Sequence, residues 1–159
     1  MKRLSPIVRL YLAYCVLWPL GLLVFLDDPP KAWELAFMQG SLFAMLLGAC
    51  VELGAARSQK ALLLLLVLAV LAGISTHALY YTQLGLVRTD KDLVVYPSWS
   101  DALYFSVVTF TTLGYGDLAP REEYRLVAAF QAIYGYVFLG AFVGTLVTVF
   151  NAAPRAPRR

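Results

Sequence analysis

Long runs of apolar residues constrain the fold of this chain more than any other feature of its sequence. Hydrophobic residues fill 60% of its 159 positions and charged residues only 14%, whereas a soluble domain carries about 25% charged residues. A membrane-spanning helix needs about 20 apolar residues. Four segments reach that length, namely Ile7–Leu26, Trp33–Leu53, Ala61–Tyr81 and Leu126–Phe150. The sequence therefore predicts an all-α membrane protein with four transmembrane helices.

The first apolar segment has a second interpretation, a cleaved signal peptide. Lys2 and Arg3 precede the apolar run, as they do in signal peptides. However, the run ends at Phe25-Leu26-Asp27-Asp28 and has no small-x-small cleavage site. We expect an uncleaved first span.

Basic residues are concentrated on one side of the predicted membrane topology. Eight of the 13 basic residues lie at the N-terminus, in the loop at 57–60 and in the C-terminal tail, while every acidic residue except Glu52 lies elsewhere. The positive-inside rule then places both termini in the cytoplasm, which an even number of spans also requires. This basic charge is scattered along membrane edges and does not indicate nucleic-acid binding. The predicted units are an N-terminal hairpin (1–58), a second module (59–151) and a short basic tail (152–159).

A short apolar segment between the third and fourth spans is too short to cross a membrane. The segment begins after Pro97, where Ser98 can cap a helix and Asp101 suits its positive end. It runs for about twelve residues to Thr111, against the 20 that a span needs. A short apolar helix followed by a glycine-rich turn predicts a re-entrant loop.

The residues that follow, TFTTLGYGD at 109–117, meet the requirements of a cation pathway. Rings of backbone carbonyls can replace the hydration shell of a monovalent cation if successive carbonyls point toward one axis. That geometry needs left-handed backbone angles, which Gly114 and Gly116 tolerate. Thr112 can add a hydroxyl ring, and Tyr115 is expected to point outward toward the surrounding helices.

The segment Trp99–Pro120, WSDALYFSVVTFTTLGYGDLAP, resembles the pore region of the potassium channel family, and the wider resemblance covers Ala61 to Phe150. It implies a re-entrant pore helix and filter, with four chains around one axis. The implied filter residues are Thr112, Leu113, Gly114, Tyr115 and Gly116, with K⁺ bound at the first four. The implied outer-mouth residues are Asp117, Glu122 and Glu123. Tyr104 and Phe105 occupy positions that brace the filter in relatives.

Two residues depart from the commonest family pattern. Leu113 stands where valine is usual, which alters packing behind the filter. Phe105 stands where some relatives have a tryptophan that hydrogen-bonds the filter tyrosine, and phenylalanine cannot make that bond. The Gly-Tyr-Gly core is intact, so the resemblance still implies selectivity for potassium.

The fourth span carries the candidate gating residues. Gly135 lies where the family places a hinge glycine, but close helix packing explains it equally well. For Gly140 and Gly144 we favour packing, because Gly-x-x-x-Gly is a helix-association pattern. Val143 and Val147, one turn apart, are candidates for an apolar constriction. No span has the regularly spaced arginines of a voltage sensor, so the gating stimulus and the role of the first two helices stay open.

Glu52 and His77 are ionisable residues inside predicted spans. For Glu52 we favour an ion pair with Arg57 or Lys60 over pH sensing. For His77 we favour hydrogen-bonded packing over pH sensing.

The predicted function is passive potassium conduction by a homotetramer in the cell membrane, with lipids as its other partners and no cofactor besides the permeant K⁺. The alternatives are a weakly selective cation channel and an auxiliary subunit of a potassium-conducting complex. An enzyme would need convergent polar residues, and the spans offer few. A coupled potassium transporter would be expected to carry four degenerate pore loops in one chain, and this sequence has one.

Overall fold

The computed structural model describes residues 59–152 continuously, together with isolated helical positions between residues 6 and 51. Apart from those isolated positions, the predicted first span, the predicted second span and the tail after residue 152 lie outside the described residues. The predicted ion pair of Glu52 lies outside them as well.

Three α-helices form the described segment. They are α1 (Gln59–Leu84, 26 residues), α2 (Trp99–Phe110, 12 residues) and α3 (Arg125–Ala152, 28 residues). Within this part of the chain, two stretches are long and apolar enough to cross a membrane, Leu66–Leu84 and Glu122–Thr148. They overlap the predicted third and fourth spans. At a rise of 1.5 Å per residue, α2 is only about 18 Å long and cannot cross a bilayer core of about 30 Å.

Helix α2 begins where its sequence predicts. Ser98 has an extended backbone, and its side chain accepts a hydrogen bond from the Asp101 amide at 3.3 Å. Asp101 places a carboxylate in the first turn, where it complements the positive end of the helix dipole. The cap fixes where α2 starts.

The structure is mostly helical, as the all-α prediction requires, and adds a short three-stranded antiparallel sheet that was not predicted. Its strands are β1 (Leu86–Arg88), β2 (Leu93–Val95) and β3 (Leu118–Pro120), in the order β2-β1-β3. The prediction missed them because a three-residue strand is too short to show the alternation by which strands are recognised. β3 begins directly after Asp117, at the outer end of the predicted filter. Its pairing with β1 therefore ties that end of the filter to the segment that follows α1.

The core lies where α1, α2 and the start of α3 meet. Its buried members are Ala78, Tyr80, Tyr81, Leu84, Leu86, Ala102, Phe105 and Val127. Along α3, the buried residues Val127, Gln131, Tyr134 and Phe138 recur at three- and four-residue spacing, which places them on one helix face. That face packs on the other helices and leaves the opposite face of α3 exposed.

Candidate functional site

The loop between α2 and β3 has left-handed backbone angles at every second residue. The φ angles are 58° at Thr112, 58° at Gly114 and 79° at Gly116. In an ordinary strand, successive residues point their carbonyls in opposite directions. A left-handed residue at every second position removes that alternation, so this backbone can direct successive carbonyls to one side. The sequence predicted the left-handed conformation at the two glycines.

The left-handed angle at Thr112 was not predicted. Thr112 follows the last turn of α2, where its amide bonds the Thr109 carbonyl at 3.1 Å and the Leu113 amide bonds the Val108 carbonyl at 3.0 Å. This pair of bonds is a Schellman cap, which usually places glycine at the left-handed position. A β-branched residue in that conformation costs on the order of 1–3 kcal/mol. The cap and the loop therefore hold Thr112 in a strained conformation at the inner end of the predicted filter.

The loop is exposed along its whole length in the single chain. Leu113 and Tyr115 are 58% and 66% exposed, although both are large apolar side chains. Among the described residues, nothing lies within 4 Å of a Cβ placed at Gly114 or Gly116. The described residues therefore leave this loop without cover.

Tyr104 contacts both the predicted filter tyrosine and the outer-mouth aspartate. Its hydroxyl donates a hydrogen bond to Asp117 Oδ2 at 3.0 Å, and its ring stacks on Tyr115 with centroids 6.2 Å apart and planes 6° apart. Desolvation, together with the hydrogen bond and the charge of Asp117, raises the pKa of Tyr104. The structure thus brings together three of the predicted site residues.

Phe105 lies in the core on the α1 side of α2. It is buried, and its ring meets that of Tyr81 edge-on with centroids 4.7 Å apart. Among the described residues, its aromatic contact is with Tyr81 of α1, whereas Tyr115 stacks on Tyr104. A bracing role for Phe105 toward the filter stays a prediction.

The two predicted outer-mouth glutamates are paired with arginines. Glu122 and Glu123 lie in a single 3₁₀ turn, Glu122–Tyr124, before α3. Glu122 bonds Arg125 at 3.1 Å, and Glu123 bonds Arg121. These cations offset the field of the glutamates. Asp117, by contrast, is hydrogen-bonded to the neutral Tyr104 hydroxyl, so it is the stronger candidate for attracting cations.

Thr89, in the turn after β1, contacts the outer end of the loop. Its hydroxyl donates to the carbonyl oxygens of Gly116 and Asp117, the latter at 3.0 Å, and its amide donates to the Asp117 carbonyl at 3.2 Å. Thr89 was not predicted as a site residue. The pairing of β1 with β3 brings it here, and three-residue strands gave no signal of that pairing.

A buried hydrogen-bond network joins the three helices and was also missed. Gln131 on α3 is fully buried, accepts a bond from the Tyr81 hydroxyl at 2.7 Å and donates to Ser106 Oγ at 2.7 Å. Ser106 in turn donates to the Ile74 carbonyl at 2.7 Å. A lone glutamine in an apolar helix was the available signal, because buried amides need partners. The network fixes α2, and with it the start of the loop, against α1 and α3.

Gly135 allows the backbones of α3 and α2 to come into close contact. A Cβ built at Gly135 would lie 2.9 Å from the Phe110 carbonyl carbon and closer still to its oxygen. This close approach supports the packing interpretation of Gly135. At Gly140 and Gly144 nothing among the described residues lies within 4 Å of such an atom. Packing at these two positions would thus involve another chain or a part of this chain outside the described residues.

Val143 and Val147 are 56% and 52% exposed on α3, so an apolar constriction built from them would also need other chains. His77 is buried, with Nδ1 2.8 Å from the Gly73 carbonyl oxygen and its ring edge-on to Tyr80. This placement fits the packing interpretation of the histidine.

Comparison with known proteins gives one family match and several curated relatives. Residues 62–152 match the family model described as "Ion channel", a family of channels and not of enzymes. The chain is 34% identical over 74 residues to the human potassium voltage-gated channel subfamily A member 6, which covers 46% of the chain and 14% of that protein. It is 41% identical over 86 residues to the two pore potassium channel b of Oryza sativa subsp. japonica, covering 54% of the chain and 22% of the relative.

Another relative is the two-pore potassium channel 4 of Arabidopsis thaliana, 34% identical over 87 residues, with 54% of the chain and 28% of the relative covered. The chain thus spans less than a third of the length of each of these three relatives. No solved structure matches the chain significantly. The matches confirm the family resemblance predicted from residues 99–120.

Proposed function

The chain belongs to the ion-channel family whose model its residues 62–152 match, and from that premise we propose that it is the pore-forming subunit of a potassium-selective channel. The observation that carries the proposal is the left-handed backbone at Thr112, Gly114 and Gly116. These angles occur in a loop of the sequence TTLGYG, between a capped short helix and a helix long enough to span the membrane. The names of the curated relatives support potassium as the ion.

In the proposed mechanism, the backbone carbonyls of Thr112, Leu113, Gly114 and Tyr115 replace the hydration shell of K⁺. The Thr112 hydroxyl would add a ligand ring at the inner end. Binding must be strong enough to dehydrate the ion, and several adjacent sites must keep it weak enough to release it. No chemical step and no resident cofactor are needed. Asp117 would raise the concentration of cations at the outer mouth.

The working unit of the proposal is a homotetramer. One loop per chain supplies one quarter of each carbonyl ring, so four loops must meet on a common axis. The exposed loop and the exposed apolar face of α3 supply surfaces for that assembly. That face includes Leu126, Phe130, Ile133, Tyr136, Val143 and Val147, each more than half exposed. We further propose four spans per chain and cytoplasmic termini in a cell membrane, as the charge distribution predicts.

The test is ion flux through purified protein in potassium-loaded liposomes. We expect potassium efflux that barium blocks and little sodium flux. Gly116→Ala should abolish flux, because the residue has φ 79° in the filter loop. Gly85→Ala is the matched control, since Gly85 has φ 74° outside that loop and its alanine variant carries the same kind of backbone strain.

Each contrary outcome identifies a different error. Equal sodium and potassium flux would point to a weakly selective cation channel. Absence of flux under every condition would favour an auxiliary subunit. Selective flux through an assembled Gly116→Ala channel would mean that the ion pathway lies elsewhere.

A further inference from the structure

The sheet places one hydroxyl group against the outermost peptide of the filter loop. β1 pairs with β3 in antiparallel register, with Arg88 opposite Leu118. Continuing that register by one residue sets Thr89 opposite Asp117, which its amide bonds at 3.2 Å. The Thr89 hydroxyl then reaches one residue further and donates to the Gly116 carbonyl. Strand pairing therefore determines which side chain contacts the filter.

Among the described residues, little else holds the Gly116 peptide. Glycine adopts many backbone conformations at low cost, and among the described residues nothing stands within 4 Å of its Cβ position. A hydrogen bond to the carbonyl oxygen fixes the direction in which that carbonyl points. The carbonyl of Gly116 is thus held by the Thr89 hydroxyl, while those of Thr112 to Tyr115 remain the set proposed to bind ions.

We propose that Thr89 is a positioning residue of the filter, whose hydroxyl holds the Gly116 peptide in its conducting orientation. The inference rests on the proposed function. Loss of the hydroxyl frees the peptide to rotate, and a rotated peptide disturbs the adjacent carbonyl ring at Tyr115. The outer sheet would thereby determine how long the filter stays conductive.

The test compares Thr89→Val, which removes the hydroxyl at nearly constant shape, with Thr89→Ser, which keeps it. Thr82→Val is the matched control, because the Thr82 hydroxyl also donates to a carbonyl, that of Leu79, but within α1. The measurement is the decay of potassium flux in proteoliposomes at low and high external potassium. A single net hydrogen bond shifts an equilibrium by roughly three- to tenfold.

We expect Thr89→Val to lose flux roughly three- to tenfold faster than the wild type in low potassium, with recovery in high potassium, because bound ions order the carbonyl rings. Thr89→Ser and Thr82→Val should decay like the wild type. Decay of Thr89→Val at the wild-type rate would overturn the inference and leave the proposed function standing. Decay of Thr89→Ser as fast as Thr89→Val would also overturn it, because the hydroxyl would then not be the cause.

Amide hydrogen exchange across residues 113–118 separates the two proposals. Thr89→Val should accelerate exchange in this segment whether or not the protein conducts, and Thr82→Val should not. A wild-type protein without flux would overturn the proposed function, and the exchange data would still test the hydroxyl. Unchanged exchange in Thr89→Val would refute its positioning role.

Discussion

Replacement of Gly135 by alanine separates the packing interpretation of this glycine from the hinge interpretation. The added methyl group would lie 2.9 Å from the Phe110 carbonyl carbon and 3.3 Å from the Phe110 Cα. Both neighbours are backbone atoms, so no side-chain rotation can relieve the clash. Helices α2 and α3 must move apart, and the end of α2 leads directly into the filter loop.

The expected magnitude combines two opposing terms. Overpacking a core costs about 1–3 kcal/mol, and the upper value applies here because backbone atoms must move. Alanine gains about 1 kcal/mol over glycine in a helix interior. The net expectation is a destabilisation of about 2 kcal/mol. For a chain of this size that lowers the melting temperature by about 4–8 °C.

Gly140→Ala is the matched control on the same helix, because nothing among the described residues lies within 4 Å of its added methyl. It should retain the propensity gain without the clash. Thermal unfolding in detergent and retention of the oligomer on gel filtration measure the difference. If Gly135→Ala melts at the wild-type temperature and alters only channel opening, the packing interpretation is wrong and the hinge interpretation is favoured.

Three further predictions concern Tyr104 beside the loop and the buried network of Gln131. Tyr104→Phe keeps the stack on Tyr115 but removes the 3.0 Å hydrogen bond to Asp117. We therefore expect the potassium flux of this variant to decay several-fold faster than that of the wild type in low potassium. Decay at the wild-type rate would contradict this prediction. Because the pKa of Tyr104 is raised, its bond should persist below the ordinary tyrosine value of about 10 and be lost only as the pH rises through the raised pKa. At alkaline pH, the flux decay of the wild type should therefore approach that of Tyr104→Phe. Gln131→Leu leaves the buried Tyr81 and Ser106 hydroxyls without their amide partner. This should lower the free energy of unfolding by about 1–3 kcal/mol and therefore the melting temperature. An unchanged melting temperature would show that these hydrogen bonds contribute little.

The sequence predicted those parts of the site whose residue types have few physical uses. Gly114 and Gly116 indicated left-handed backbone, and the structure has it at both positions. Ser98 indicated the start of α2, because a hydroxyl before an apolar run caps a helix. Apolar length indicated α1 and α3. Each of these signals is local, so the sequence of a single segment is enough to predict the structure of that segment.

The remainder depends on contacts between distant segments. The bond from Thr89 to Gly116 joins residues 27 positions apart, through strands too short to leave a pattern. The bond from Tyr81 to Gln131 joins residues 50 positions apart. Thr112 was missed for a different reason: threonine is a poor residue for positive φ, so its propensity opposed the conformation that the cap imposes.

Gly135 shows what the structure adds where the sequence left two interpretations equal. A glycine in an apolar helix is compatible with bending and with close packing. Only the position of the Phe110 backbone indicates that a side chain has no room there, because a Cβ at Gly135 would lie 2.9 Å from the Phe110 carbonyl carbon.

The reversal potential of the reconstituted channel, with potassium on one side of a planar bilayer and sodium on the other, tests the central claim most directly. We predict a reversal potential displaced strongly toward the potassium equilibrium potential, because the carbonyl rings from Thr112 to Tyr115 would replace the hydration shell of K⁺ better than that of Na⁺. A reversal potential near zero under these conditions would contradict the assignment of this loop as a potassium-selective filter.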